Sequence, residues 1–341
     1  MTFSRTAALS MSVSMLAGLA HAETLNVQTS FNAGDFSTKY ITEEWLPKIE
    51  EMTEGRVSIV LTPNGSVVPA RDTPEAVAAG ALDGDFTSVN YFSGQEPAFA
   101  LLGDLISGYD TPEQMIGFCQ EGPGEEMMQK AADAITGGEV KVVACGPYSR
   151  EALVAREPIR TFEDLEGKKI RSPEGLAAAV FQAAGASPVA IPFSEVFGAI
   201  EKGIVDAADA SAYVNNDATG LHDVAPYPLY PGIHSMPAMQ FTVNREVWDE
   251  LEPQDQEALR TWWYDAMRAM AAETTKLDRE LAERDDQKDD IEVIDWAQED
   301  RDQLREVARK EWENYAQKSE LAQEALAAHL AYMTEIGLFK E

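Results

Sequence analysis

Cations, cysteines and histidines are scarce in this chain. Lys and Arg total 27 against 59 Asp and Glu over 341 residues, a formal net charge of -32. Such a surface repels nucleic acid and anionic lipid, so neither is expected as a partner. It suits a solvated shell that keeps a protein dispersed. There are two cysteines, Cys119 and Cys145, and four histidines, of which His222, His234 and His329 lie beyond the first 22 residues. Their spacing matches no zinc-ligand pattern. Glycine-rich nucleotide loops, a phosphate loop, a G-x-S-x-G elbow and an H-E-x-x-H helix are missing as well, so an enzyme is not expected.

Long apolar runs are also missing. The longest greasy stretch, Ala7 to Leu19, follows Arg5 and precedes Ala20-His21-Ala22. It is too short to span a bilayer and has the charge, apolar core and A-x-A order of a cleaved export signal. Residues 1–22 are therefore expected to be a signal peptide and the compartment the periplasm. In an oxidising compartment Cys119 and Cys145 are either a disulfide or two buried thiols.

The 319 residues after position 22 exceed what one core usually serves, and two lobes are expected. Short β-rich runs (Leu25 to Thr29, Arg56 to Leu61, Phe86 to Val89, Val140 to Ala144, Lys169 to Arg171, Phe241 to Val243) alternate with helix-like segments. The helix-like segments include Ser37 to Thr53, Thr111 to Ile135 and Phe193 to Lys202. That alternation predicts an α/β fold with mostly parallel sheets and a ligand site beyond the carboxyl ends of the strands. Ala76 to Gly84 echoes Ala199 to Ala207, each reading as a helix that ends at glycine and turns into a strand. After Pro253 the chain becomes long amphipathic helix, Gln254 to about Arg284 and Gln298 to Ile336, fit to brace the lobes or to form a homodimer contact. Trp262, Trp263 and Trp312 read as packing residues.

Arg171 stands out. It leaves a short strand into Ser172-Pro173-Glu174-Gly175, placed to hold an anion through two parallel hydrogen bonds. Charges beyond about 8 Å are largely screened at physiological salt, so the acidic surface does not forbid this.

The run Pro158-Ile159-Arg160-Thr161-Phe162-Glu163-Asp164-Leu165-Glu166-Gly167-Lys168-Lys169-Ile170-Arg171, with Glu195 and Ala199-Ile200-Glu201-Lys202-Gly203-Ile204-Val205-Asp206-Ala207-Ala208 after it, resembles the extracytoplasmic solute receptors of TRAP (tripartite ATP-independent periplasmic) transporters, of DctP type. Tyr230-Pro231-Gly232 and Asn244 to Trp248 look closer to the receptors for keto and hydroxy acids. The resemblance implies a two-lobed periplasmic-binding-protein fold: lobe I from 23–149 completed by about 237–252, lobe II from 150–236, and 253–341 as helices spanning both. It also implies a cleft that closes on a small organic anion, handover to membrane permease subunits, and no cofactor. Arg171 falls on the family's carboxylate-binding arginine. Arg150 falls, with a one-residue offset, on a second polar contact. Tyr91 and Asn90 lie on the turn where a tyrosine faces the cleft, and Phe31 and Asn32 follow the first strand. In the keto-acid receptors an acidic residue and a tryptophan after the D-A motif, with a later glutamate, hold a cation beside the ligand. Here Asp209 fills the acidic position, but Ala210 replaces the tryptophan and Ile233-His234-Ser235-Met236 replaces the glutamate stretch. Asp209, as a metal ligand or otherwise, joins Tyr213, Ser235 and His234 as candidates for a ligand's hydroxyl, amino or anionic groups. A hydroxy-, keto- or aromatic carboxylate is the expected ligand. An organosulfonate receptor, an exported α/β enzyme and the ligand-binding module of a sensor are the alternatives.

Overall fold

The computed structural model describes residues 22–233 and 235–338. The expected signal segment, but for its last residue, and His234 lie outside them. Ten strands form two five-stranded sheets. The first contains β1 (Glu23–Thr29), β2 (Val57–Thr62), β3 (Gly84–Ser88), β4 (Val140–Pro147) and β10 (Ala238–Asn244), in the order β2-β1-β3-β10-β4. The second contains β5 (Leu153–Ala155), β6 (Lys169–Ser172), β7 (Ser187–Ala190), β8 (Ala207–Asp209) and β9 (Tyr227–Pro228), in the order β7-β6-β8-β5-β9. β1 runs parallel to β2 and β3, and β6 runs parallel to β7 and β8. β10 is antiparallel to both its neighbours, as is β5. With helices on their faces, the sheets give the expected α/β class, but they are mixed rather than mostly parallel, with four parallel and four antiparallel pairings among the described residues, because β10 and β5 enter against their neighbours.

Strand character follows the side chains. In β1, Leu25 and Val27 are fully buried while Thr24 and Asn26 are exposed, the period-two alternation of a strand with one covered face. β3 and β10 are buried along nearly their whole length, as central strands must be. Phe86 of β3 and Phe241 of β10 meet at 4.8 Å and pack on Trp262 and Trp263, neither of which retains any exposed surface. These tryptophans are therefore core.

The echoed segments are alike in space. Helix Thr73–Ala78 turns through Gly80 (φ 71°) into β3, and helix Val196–Glu201 turns through Gly203 (φ 67°) into β8. Both glycines occupy the left-handed region that closes a helix without a Cβ penalty.

The long predicted helices break where local chemistry demands. Pro123 cannot continue a helix, so Thr111 to Ile135 becomes Pro112–Gln120, opened by a Thr111 and Gln114 capping box, and Gly124–Thr136. Ser319 caps a new start by accepting from the Ala322 N–H at 3.0 Å, dividing the last segment into Gln298–Ala316 and Glu320–Glu335. A π-helical stretch, Ile41–Trp45, precedes Pro47, whose missing N–H would otherwise interrupt a regular ladder.

Helix Pro253–Asp285 packs on β4 of the first sheet and on helix Tyr213–Ala218, which follows β8 of the second. Gln298–Ala316 likewise touches Ala98–Gly103 and Leu176–Ala183. Cys119, in helix Pro112–Gln120, is disulfide-bonded to Cys145 of β4 with Cα atoms 5.6 Å apart. Among the described residues no helix is long and apolar enough to cross a membrane.

Candidate functional site

Between the sheets, the segments that follow β1, β3, β4, β6 and β8 converge on an open recess of about 540 Å³. This is the strand-end position that α/β sheets favour for ligands. Phe31, Asn90 and Tyr91 line it from the first sheet's side, and Arg171 and Phe193 from the second's. Tyr148, Glu151 and Ser211 close its floor, with Pro173 and Pro237 at its edges.

Arg171 is 5 % exposed. Its Nε donates to the Ile191 carbonyl at 2.8 Å and Nη1 donates to the Asp209 carbonyl at 2.6 Å. Among the described residues none accepts from Nη2. Two backbone oxygens thus fix the plane of the guanidinium, and its remaining edge lies in the wall of the recess. A preset fork of this kind matches the two oxygens of a carboxylate.

Three carboxyl groups crowd the same region. Glu151 lines the recess and accepts a hydrogen bond from the Tyr148 hydroxyl at 3.1 Å, a hydroxyl that also shares a 2.6 Å bond with Ser211 Oγ. Asp104 is held by Ser235 Oγ at 2.6 Å and the Met236 N–H at 3.1 Å. Asp209 is 1 % exposed, and among the described residues neither of its carboxylate oxygens has a partner. Burial and the negative charge of Asp104 push Asp209 up to about 7, against the opposing pull of Arg171. Burial likewise lifts Asp104 to about 6. Glu151 is raised well above the ordinary carboxylate range by burial and then by Asp209 and Asp104. Desolvation and mutual repulsion both favour the neutral forms.

Of the residues singled out in the sequence, Arg171, Asn90, Tyr91 and Phe31 share this recess. The others do not. Asn32 serves the turn after β1, its N–H donating to Asp35 Oδ2 at 2.8 Å. Tyr213 is fully buried, its hydroxyl donating to Asp285 at 2.9 Å and its ring packed on His222 and Tyr230, because it starts a helix that lies under Pro253–Asp285. Ser235 is buried with its hydroxyl committed to Asp104. Asp209 stands behind the recess, and only its carbonyl meets Arg171.

Arg150 points elsewhere. Its Nη2 donates to the Asp110 carbonyl, and it lines a second hollow with Glu151, Tyr230, Pro231 and Asp278. Glu151 borders both spaces and Arg150 does not border the recess, so a one-residue offset separates the residue that reaches it from the one that does not. That offset was the available signal for Glu151. Tyr148 and Ser211 had none. Gly232 is part of the same construction: a Cβ there would collide with the Glu151 carbonyl.

One further cluster has metal-like donors. Asp217, His222 and Asp285 offer ligand atoms within 4.8 Å of one another. Arg284 already sits 2.6 Å from both carboxylates and Lys288 2.7 Å from Asp285, so the negative charge a cation would need is neutralised. These residues do not suit a metal.

Comparison with known proteins places the chain among exported receptors. Residues 28–319 match the DctP family, described as bacterial extracellular solute-binding protein, family 7. A crystal structure of a TRAP periplasmic solute-binding protein from Rhodobacter sphaeroides, in an apo open form, is 37% identical, with 94% of this chain and 100% of that one covered and a TM-score of 0.77. A second, from Rhodoferax ferrireducens with bound malonate, is 20% identical over 93% of this chain and 100% of that one, with a TM-score of 0.81. The monocarboxylate 2-oxoacid-binding periplasmic protein of Nostoc is 27% identical over 70% of this chain; the match spans 64% of that relative's length.

Proposed function

Because the chain belongs to bacterial extracellular solute-binding protein family 7, we propose that it is a periplasmic receptor that captures a small organic acid and hands it to a TRAP-type membrane permease. The observation that carries this reading is Arg171: a buried guanidinium, oriented by two backbone carbonyls, with its remaining edge in a recess between two sheets. The acid's carboxylate meets that edge. Asn90, Tyr91 and Phe31 reach it from the opposite sheet, so occupancy favours approach of the two lobes and the closed form is what the permease receives. The lobes correspond to 23–149 with about 237–252 and to 150–236, braced by the helices after 253.

No covalent step is involved, in keeping with a family of binding receptors. The Nostoc relative's name supports a carboxylate rather than a sulfonate. Thermal-shift screening of matched carboxylates and sulfonates, followed by calorimetry on wild type and Arg171→Ala, tests the reading. Selective stabilisation by carboxylates, lost in Arg171→Ala, is expected. Stabilisation that survives in the variant would remove Arg171 from the site.

A further inference from the structure

The recess holds more carboxyl groups than a carboxylate receptor needs. Among the described residues that line it Arg171 is the one cation, with Arg71 at the edge of the adjoining hollow, and Glu151 lines it too. Directly behind are Asp209, whose carboxylate has no partner among the described residues although the residue is buried, and Asp104. Arg171 spends two of its hydrogen bonds on backbone oxygens. A ligand bearing carboxylate alone leaves Glu151 buried beside Asp209 and Asp104 with its ionised form disfavoured. A cation set against Glu151 would favour that ionised form and give the carboxyl group a counter-charge. Among the described residues the only donor to the Glu151 side chain is the Tyr148 hydroxyl. That leaves acceptor capacity facing the ligand space, since an ionised carboxylate has about four lone-pair sites.

The rest of the lining is aromatic. Phe31, Tyr91, Tyr148 and Phe193 all contribute, with Phe31 and Tyr148 packed edge to face at 5.0 Å. Rings beside a carboxylate form a receptacle for an organic cation, which gains from the ring faces as well as from the counter-charge.

Resting on the reading above, we infer that the captured acid is a zwitterion, its carboxylate held by Arg171 and its cationic nitrogen, from primary to quaternary ammonium, held by Glu151 beside the rings of Phe31, Tyr91 and Tyr148. Glu151 then sets specificity. Hydroxy and keto acids of the same skeleton supply the first contact and leave the second unmet, so they bind more weakly. The proposed role of Arg171 is unchanged by this. What is added is a second charged contact of opposite sign.

The test is calorimetry on the full mature chain at pH 7.5, in EDTA and in calcium. The probes are glycine, alanine, proline and phenylalanine and their N-methylated betaines, against the hydroxy and keto acids of the same skeletons. Within any skeleton that binds, the member with the cationic nitrogen is expected to be at least tenfold tighter, with or without calcium. Glu151→Gln should erase that preference by weakening the cationic member at least tenfold while the hydroxy and keto acids hold or gain. Glu151→Asp, which keeps the charge, should retain it. Melting temperatures of both variants separate a lost contact from a lost fold. A hydroxy or keto acid binding tightest, a preference that survives Glu151→Gln, or binding that requires calcium would each overturn the zwitterion while leaving the carboxylate receptor intact. Failure of every acid to bind would remove both.

Discussion

Arg171 donates from Nη1 to the backbone carbonyl of Asp209 at 2.6 Å, yet among the described residues the carboxylate of that same aspartate has no hydrogen-bond partner. The guanidinium is thus oriented by a neutral oxygen rather than consumed by an ion pair. A salt bridge to Asp209 would have occupied the edge that the recess needs.

Replacing Arg171 by Ala should reduce carboxylate affinity at least 100-fold, roughly 3 kcal/mol, the scale for losing a charged partner in a desolvated site. Thermal stability should fall too, because the Ile191 and Asp209 carbonyls lose their donor. Arg171→Lys keeps the charge without the planar fork and should bind more weakly than wild type. Calorimetry and differential scanning calorimetry measure the two effects separately.

Asp278 gives a pH dependence with a definite sign. It is 6% exposed, and burial pushes its pKa from 3.8 up to about 7 despite hydrogen bonds from the Val214 and Tyr213 N–H groups. The folded state therefore holds a proton that the unfolded chain has released, and this group's contribution declines as pH rises from about 4 to about 7. Asp278→Asn keeps an acceptor for Val214 and never ionises. Its stability should exceed wild type by on the order of 1–3 kcal/mol at pH 8, the gap closing near pH 4. Urea titrations at the two pH values check it; a constant gap would contradict it.

Breaking the Cys119–Cys145 bridge, which closes a separation of 26 residues between a helix and β4, should cost about 3 kcal/mol. Denaturant midpoints of Cys119→Ala/Cys145→Ala against wild type measure it.

Gly232→Ala should displace the Glu151 carbonyl, with which its Cβ would collide. Overpacking of this kind costs roughly 1–3 kcal/mol. Because Glu151 moves with its backbone, ligand affinity should fall along with melting temperature, whereas Gly55→Ala, in open space, should change melting temperature without touching affinity.

The α/β class and six of the ten described strands were legible because short β-rich runs alternate with helix-like segments, and the tryptophans read as packing residues. The very short strands β5, β8 and β9 carry too few residues to show a period, and β7 contains Pro188. The place of Arg171 in the wall of the recess was legible from its charge at a strand end. Glu151 was not, because facing depends on a single-residue register, and Tyr213 and Ser235 were misplaced because their hydroxyls serve buried carboxylates that belong to distant parts of the chain.

β10 lies in the middle of the first sheet, between β3 and β4, yet it comes from residues 238–244, after every strand of the second sheet has been made. The amino-terminal sheet must therefore stay unzipped along its centre during synthesis until that late strand arrives. A chain emerging in order can complete its second sheet before its first, and no truncation ahead of residue 238 leaves the amino-terminal half able to close.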